Sequence, residues 1–307
     1  MPAEVLLDIT EISVAYPKNG STIPVVDRAS FHINRGEFLA IVGESGCGKS
    51  QLVLALCGLS PRQAEIRKII NASRVVKMSM IFQEPLSALN PVLTIGEQVR
   101  EALASPAGKK EDRAAVIDLL SAVGIDDAEN RLEQYPHEFS GGMRQRVLIA
   151  MALAREPDLL IADEPTTALD VTVQRQILEL LKEIQEQRNL TILFITHDLS
   201  ILPHLAQRIM VMYAGKIIEA GTMDDIIHSP RHPYTQKLLA TAQLEKTEED
   251  EFVSIPGTVP IPGEYPAGCR FAPRCTIARE DCSQKEPDWQ QDRDHGWACP
   301  VTMSDAH

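Results

Sequence analysis

No stretch of this 307-residue chain approaches the roughly 20 apolar residues needed to cross a bilayer, so the chain by itself is not expected to span a membrane. Its opening, Met1-Pro2-Ala3-Glu4, has no basic segment followed by an apolar one, which argues against an export signal and for a cytosolic chain. Positive charge is short as well. Thirty Lys and Arg face 43 Asp and Glu, a formal net charge of -13, and broad binding to nucleic acid needs clustered Lys and Arg, so nucleic acid is not an expected partner. The sequence has no internal repeat and no extended low-complexity tract, which sets aside solenoids and arrays.

What is present is ordinary globular material, 44% hydrophobic and 24% charged, enough for a large core plus a smaller appended unit. Residues 6–16 alternate apolar and polar after Leu7, as a half-buried strand does, and Pro17 to Gly20 turn the chain. Phe38 to Val42 is a short continuous apolar run, the pattern of a strand buried on both faces of a parallel sheet. Met78 to Phe82, Leu159 to Ala162, Thr191 to Thr196 and Arg208 to Tyr213 read the same way, and Lys216 to Gly221 reads as a last short strand. Helical patterns over 95–104, 113–122, 142–154 and 173–188 separate them, which predicts an α/β core with a helical insertion at about residues 84–155.

Three segments carry chemistry. Gly43-Glu44-Ser45-Gly46-Cys47-Gly48-Lys49-Ser50 fits G-x-x-x-x-G-K-[ST] between a buried strand and a helix, the setting of a phosphate-binding loop. Glycines let successive N–H groups converge on a phosphate, Lys49 adds a point charge, and Ser50 offers a hydroxyl to Mg²⁺. Leu159 to Glu164 ends a buried strand in two carboxylates: Asp163 is suited to the Mg²⁺ hydration shell and Glu164 to polarising an attacking water. Ser140-Gly141-Gly142 opens a helix whose free N–H groups can meet an anion such as a phosphate. No nucleophile motif accompanies them, in keeping with direct attack by water.

Ser140 to Arg146 resembles the signature of ABC-type ATPases, with Met143 where Gln is commoner, and other positions over about residues 5–220 fit in order. The resemblance implies a nucleotide set of Gly43, Glu44, Ser45, Gly46, Cys47, Gly48, Lys49, Ser50 and Gln51, with Tyr16 stacked on adenine. It implies that Ser140, Gly141, Gly142 and Asp170 act across a dimer, that Gln83 joins Ser50 and Asp163 at Mg²⁺, and that His197 contacts the γ-phosphate beside the base Glu164. Tyr135 to Phe139, Gln83-Glu84-Pro85 with Leu89-Asn90-Pro91, and His232-Pro233-Tyr234-Thr235 look like the ATPases of oligopeptide, dipeptide and nickel importers. Expected partners are then a second, related ATPase subunit, two integral-membrane permeases and, through the complex, an extracytoplasmic solute-binding protein, with the chain peripheral at the cytoplasmic face of the inner membrane. A soluble ABC-type ATPase acting on DNA or ribosomes is the alternative, and it would be expected to carry long coiled coils or two ATPase units, neither of which is seen.

Cysteine is uneven: Cys47 and Cys57 stand alone, whereas Cys269, Cys275, Cys282 and Cys299 crowd the end beyond an acidic linker at about residues 245–250. Without an export signal, metal or cluster ligation is favoured over disulfides. The C-x5-C-x6-C-x16-C spacing lacks the close pairs of structural zinc. Four thiolates suit a [4Fe–4S] cluster, which the importer resemblance also implies; zinc and free thiols stay open as alternatives. The expected organisation is a nucleotide-binding domain over 1–240 and a four-cysteine extension over 241–307. Residues 60–77 depart from the family pattern, being short and strand-poor where a strand pair is usual, so a reduced antiparallel subdomain is expected.

Overall fold

A computed structural model describes residues 4–18, 20–82, 88–103, 113–167, 169–243 and 254–301. By internal contacts the chain divides into two compact units, one of residues 1–73 and 195–307 and one of residues 74–194.

In the first unit, β1 (Val5–Lys18), β2 (Ser21–Asn34) and β4 (Glu65–Asn71) form an antiparallel sheet in the order β2-β1-β4. Its register sets Ile9 opposite Phe31 and Val14 opposite Val26, and these apolar side chains are buried. The helix α1 (Lys49–Cys57) packs against β1 and β2. The expectation that residues 60–77 are strand-poor is corrected: β4 runs through them, one strand where the family pattern suggests a pair. Its Glu-Ile-Arg-Lys-Ile-Ile-Asn sequence is almost wholly solvent-exposed, so pairing with β1 rather than a buried face makes it a strand. β1 also runs on through Pro17 to Lys18, past the start of the expected turn.

β3 (Phe38–Val42) is completely buried, as its unbroken apolar run requires, and each large side chain contributes about 1.5–3 kcal/mol by leaving water. It pairs in parallel with β8 (Arg208–Tyr213), which pairs antiparallel with β9 (Lys216–Thr222). The order continues through β11 (His295–Trp297) to β10 (Gln290–Asp292), so the cysteine-containing segment adds strands to the edge at β9. That segment, which shows little patterning in sequence, also holds a 3-10 turn at Ala272–Arg274 and a short helix, α9 (Glu280–Gln284). Between β9 and it lie α7 (Met223–His228) and α8 (Pro233–Ala242).

In the second unit β5 (Met78–Ile81) and β6 (Leu159–Asp163) run parallel. The helices α2 (Ile95–Leu103), α3 (Arg113–Ala122), α4 (Ala128–Arg131) and α5 (Gly141–Leu153) fill the expected insertion, α5 packing on α2, α3 and α6 (Val171–Arg188). β7 (Thr191–Thr196) carries the chain back to the first unit. No helix among the described residues is long and apolar enough to cross a membrane.

Candidate functional site

In the first unit, the phosphate-type loop leaves the end of β3 and enters α1 at Gly48. At Gly43 a Cβ would lie 2.1 Å from the carbonyl oxygen of Met212, so only glycine passes this point. The loop is closed by the Cys47 N–H donating to the Glu44 carbonyl at 3.3 Å and is tied to the turn between β8 and β9 by the Gly215 N–H donating to the Cys47 carbonyl at 2.7 Å. Ser45 and Gly46 are exposed at its crest, whereas Cys47, Gly48 and Lys49 are buried. The Lys49 ammonium donates to the carbonyls of Gly43 at 2.8 Å and Glu44 at 3.1 Å. Burial raises the Cys47 thiol pKa, so this sulfur stays protonated beside the lysine.

Tyr16, half-buried near the end of β1, donates its hydroxyl to Oε1 of Gln51 at 2.6 Å, which fixes its ring relative to the first turn of α1. His197 follows β7 and is exposed. Ser50 lies half-buried in the first turn of α1.

In the second unit, β6 delivers Asp163 buried at its tip, and Glu164 comes next in a left-handed conformation with φ 46. A non-glycine residue held there costs of order 1–3 kcal/mol and is typical of functional positions. Thr167 Oγ1 donates to the Glu164 carboxylate at 3.0 Å. Ser140 caps α5 by accepting from the Met143 N–H at 3.3 Å, and both Ser140 and Gly141 are exposed. Beside them, Leu169 lies 3.3 Å from where a Gly141 Cβ would be, and the next residue, Asp170, caps α6 through its carboxylate at 3.1 and 3.0 Å from the N–H groups of Thr172 and Val173. The structure thus brings the Ser140 turn and Asp170 together. Gln83 lies outside the described residues.

Cys269, Cys275, Cys282 and Cys299 are free thiols, and all four line one small apolar cavity of about 20 Å³ together with His232. Burial raises the pKa of Cys269 and Cys275 and pushes that of Cys299 up to about 11. Among the described residues no group of three or more His, Cys, Asp or Glu could hold a metal ion, so the metal centre read from the sequence is not visible as a ready-made ligand set. Cys57 stands apart, and burial pushes its thiol up to about 11.

Sequence reasoning singled out Tyr234 only within the importer-like segment 232–235 and gave neither it nor Arg274 a role at the phosphate loop. Glu44 donates its N–H to the Tyr234 hydroxyl at 2.9 Å, and its carboxylate accepts two hydrogen bonds from Arg274 at 2.8 and 3.0 Å. The available signal was an arginine directly beside Cys275.

Residues 26–167 match the family described as ABC transporter, and residues 218–282 match the oligopeptide/dipeptide transporter C-terminal region. The chain is 45% identical over 303 residues to the oligopeptide transport ATP-binding protein AppD of Bacillus subtilis, covering 92% of each. It is 43% identical over 304 residues to the dipeptide transport ATP-binding protein DppD of Escherichia coli, again covering 92% of each. Among solved structures, the dimeric post-hydrolysis ATP-binding cassette MJ0796, bound to ADP and Pi, matches with TM-score 0.59 and 26% identity over 71% of this chain and 99% of that one. The protein cbiO1 of Clostridium perfringens, part of an ABC transporter complex, matches with TM-score 0.62 and 26% identity over 74% of this chain and 92% of that one.

Proposed function

The chain belongs to the ABC transporter ATP-binding family, in the branch of the oligopeptide and dipeptide transport ATP-binding proteins, and on that premise we propose how its residues power import of peptides. ATP with Mg²⁺ binds at the Gly43–Ser50 loop, and its hydrolysis drives the transporter. The single observation that carries this is the loop itself: a fully buried strand, glycines at Gly43, Gly46 and Gly48, and Lys49 at the mouth of a helix.

In this reading Lys49 neutralises the terminal phosphates, Ser50, Asp163 and Gln83 serve Mg²⁺, and Tyr16 stacks on the base. Glu164 accepts the proton of the attacking water, with His197 at the γ-phosphate. The Ser140, Gly141 and Gly142 turn of this chain, together with its Asp170, closes over the nucleotide held by a second ATPase subunit; the exposed Ser140 turn supports this, since a helix N-terminus facing solvent can meet an anion. The second subunit is a related but distinct chain, and the pair docks on two permeases at the cytoplasmic face of the membrane, fed by a solute-binding protein.

The four cysteines are assigned to a [4Fe–4S] cluster. What supports this is donor chemistry alone: four free thiols line one small cavity, and since no group of three or more ligands among the described residues is arranged to hold a metal, the thiols must move together to bind it. A cluster bound there would add a covalent staple to the small core formed by Ala272, Cys282, Trp297, Cys299 and Val301.

The test is copurification and turnover. The tagged chain is expected to bring down integral-membrane subunits and a second ATPase, with MgATP hydrolysis stimulated by peptide-loaded binding protein; full-rate hydrolysis by a strict monomer would overturn the shared site.

A further inference from the structure

We propose that Arg274 is a positioning residue for ATP binding: by gripping Glu44, it makes the shape of the phosphate loop depend on the cysteine-containing extension. The inference deepens the ATPase reading and rests on it.

Arg274 spends its guanidinium completely. Nη1 and Nη2 reach the two Glu44 oxygens at 2.8 and 3.0 Å, Nη1 also reaches the Tyr213 hydroxyl at 3.2 Å, and Nε and Nη2 donate to the carbonyls of Pro256, Ile255 and Gly257 at 2.7, 3.1 and 3.3 Å. Its side chain is only 5% exposed. Burial by itself lowers the arginine pKa, but the hydrogen bonds to Glu44 and Tyr213 outweigh it and hold the group firmly charged. A planar fork matched to a carboxylate fixes direction as well as distance, which a lysine cannot do.

The consequence reaches Lys49 in two steps. Its ammonium rests on the carbonyls of Gly43 and Glu44, so whatever fixes residue 44 also fixes the bed of the lysine that meets the phosphates. From the other side, the Tyr234 hydroxyl fixes the Glu44 N–H, and Tyr234 is set by close ring contacts with Tyr213 and Phe271 at 4.6 and 5.4 Å. Both the main chain and the side chain of one loop residue are therefore held by parts of the chain beyond residue 230. A buried ion pair of this kind adds little stability over an apolar replacement, and its best use is to specify one geometry. Arg274 also closes the turn Ala272–Arg274, directly before Cys275 on the cysteine cavity, so what fills that cavity bears on the loop.

The experiment compares the affinity for a fluorescent ATP analogue with the steady-state KM and kcat of the intact ATPase complex. Arg274→Gln is expected to weaken nucleotide binding and raise KM about 10-fold with kcat within about twofold, and Arg274→Lys to recover part of that loss. Glu44→Gln should do the same as Arg274→Gln, and the double variant should be no worse than either single one. Unchanged affinity in Arg274→Gln, or additive losses in the double variant, would overturn the proposal. Should Arg274→Gln fail to fold, Glu44→Gln decides alone, since its side chain is 28% exposed and its unaltered binding would refute the coupling. Failure of the wild-type protein to bind the analogue would refute the ATPase reading instead.

Discussion

Gly142 and Val173 touch backbone to side chain: a Cβ on Gly142 would stand 2.4 Å from Val173 Cγ1. The first turns of α5 and α6 can approach this closely only because residue 142 has no side chain. Gly142→Ala is therefore expected to cost about 1–3 kcal/mol as the helices are pushed apart. Urea unfolding followed by circular dichroism measures this, and an unchanged midpoint would show that the two turns separate freely.

Glu164→Gln keeps the size and the left-handed backbone of the assigned base but removes its charge. ATP affinity should hold while phosphate release falls at least about 100-fold, the lower range for losing a general base. Normal turnover in this variant would remove Glu164 from that role.

Tyr16 separates stacking from anchoring. Tyr16→Phe loses the hydroxyl bond to Gln51 but keeps the ring, so ATP affinity should stay within about threefold. Tyr16→Ala should lose about 10-fold, the scale of one base–aromatic stack. If both lose equally, the hydroxyl rather than the ring is what matters.

These positions were legible in sequence for a physical reason. β3, β6, β7 and β8 are strands buried on both faces, and such strands read as unbroken apolar runs that little else explains. The phosphate loop and the Ser140 turn were legible because backbone geometry there requires glycine at fixed spacing. β4 was not, since its side chains lie mostly in water and its strand character comes from pairing with β1. The link from Glu44 to Arg274 was also hidden: no local pattern reports a partner 230 residues away.

Asp27 carries the pH dependence of the join between β2 and the extension. Burial raises its pKa, but hydrogen bonding and charge from Lys216, with the charge of Arg270, more than offset this and leave it below 3.8. A depressed carboxylate stabilises the fold above its unfolded pKa, and this is lost as pH falls below about 4 toward the folded value. Asp27→Asn should thus cost about 2 kcal/mol at pH 7, the scale of hydrogen bonds to a charged group, and clearly less near pH 3. Equal losses at both pH values would show that the charge plays no part.

For the four cysteines, purified protein is expected to be brown and to hold about four irons with matching acid-labile sulfide. Cys275→Ser should lose both, along with thermal stability. Stoichiometric zinc in wild-type protein, or neither metal, would overturn the cluster assignment.

The grip of Arg274 on Glu44 also bears on synthesis. The nucleotide loop leaves the ribosome 230 residues ahead of the arginine that braces it, a delay of about 10–50 s at ordinary elongation rates. A nascent or prematurely ended chain would carry the whole glycine loop without its brace. By the loss expected of Arg274→Gln, such a chain would engage ATP about 10-fold more weakly until residue 274 is made and seated on Glu44.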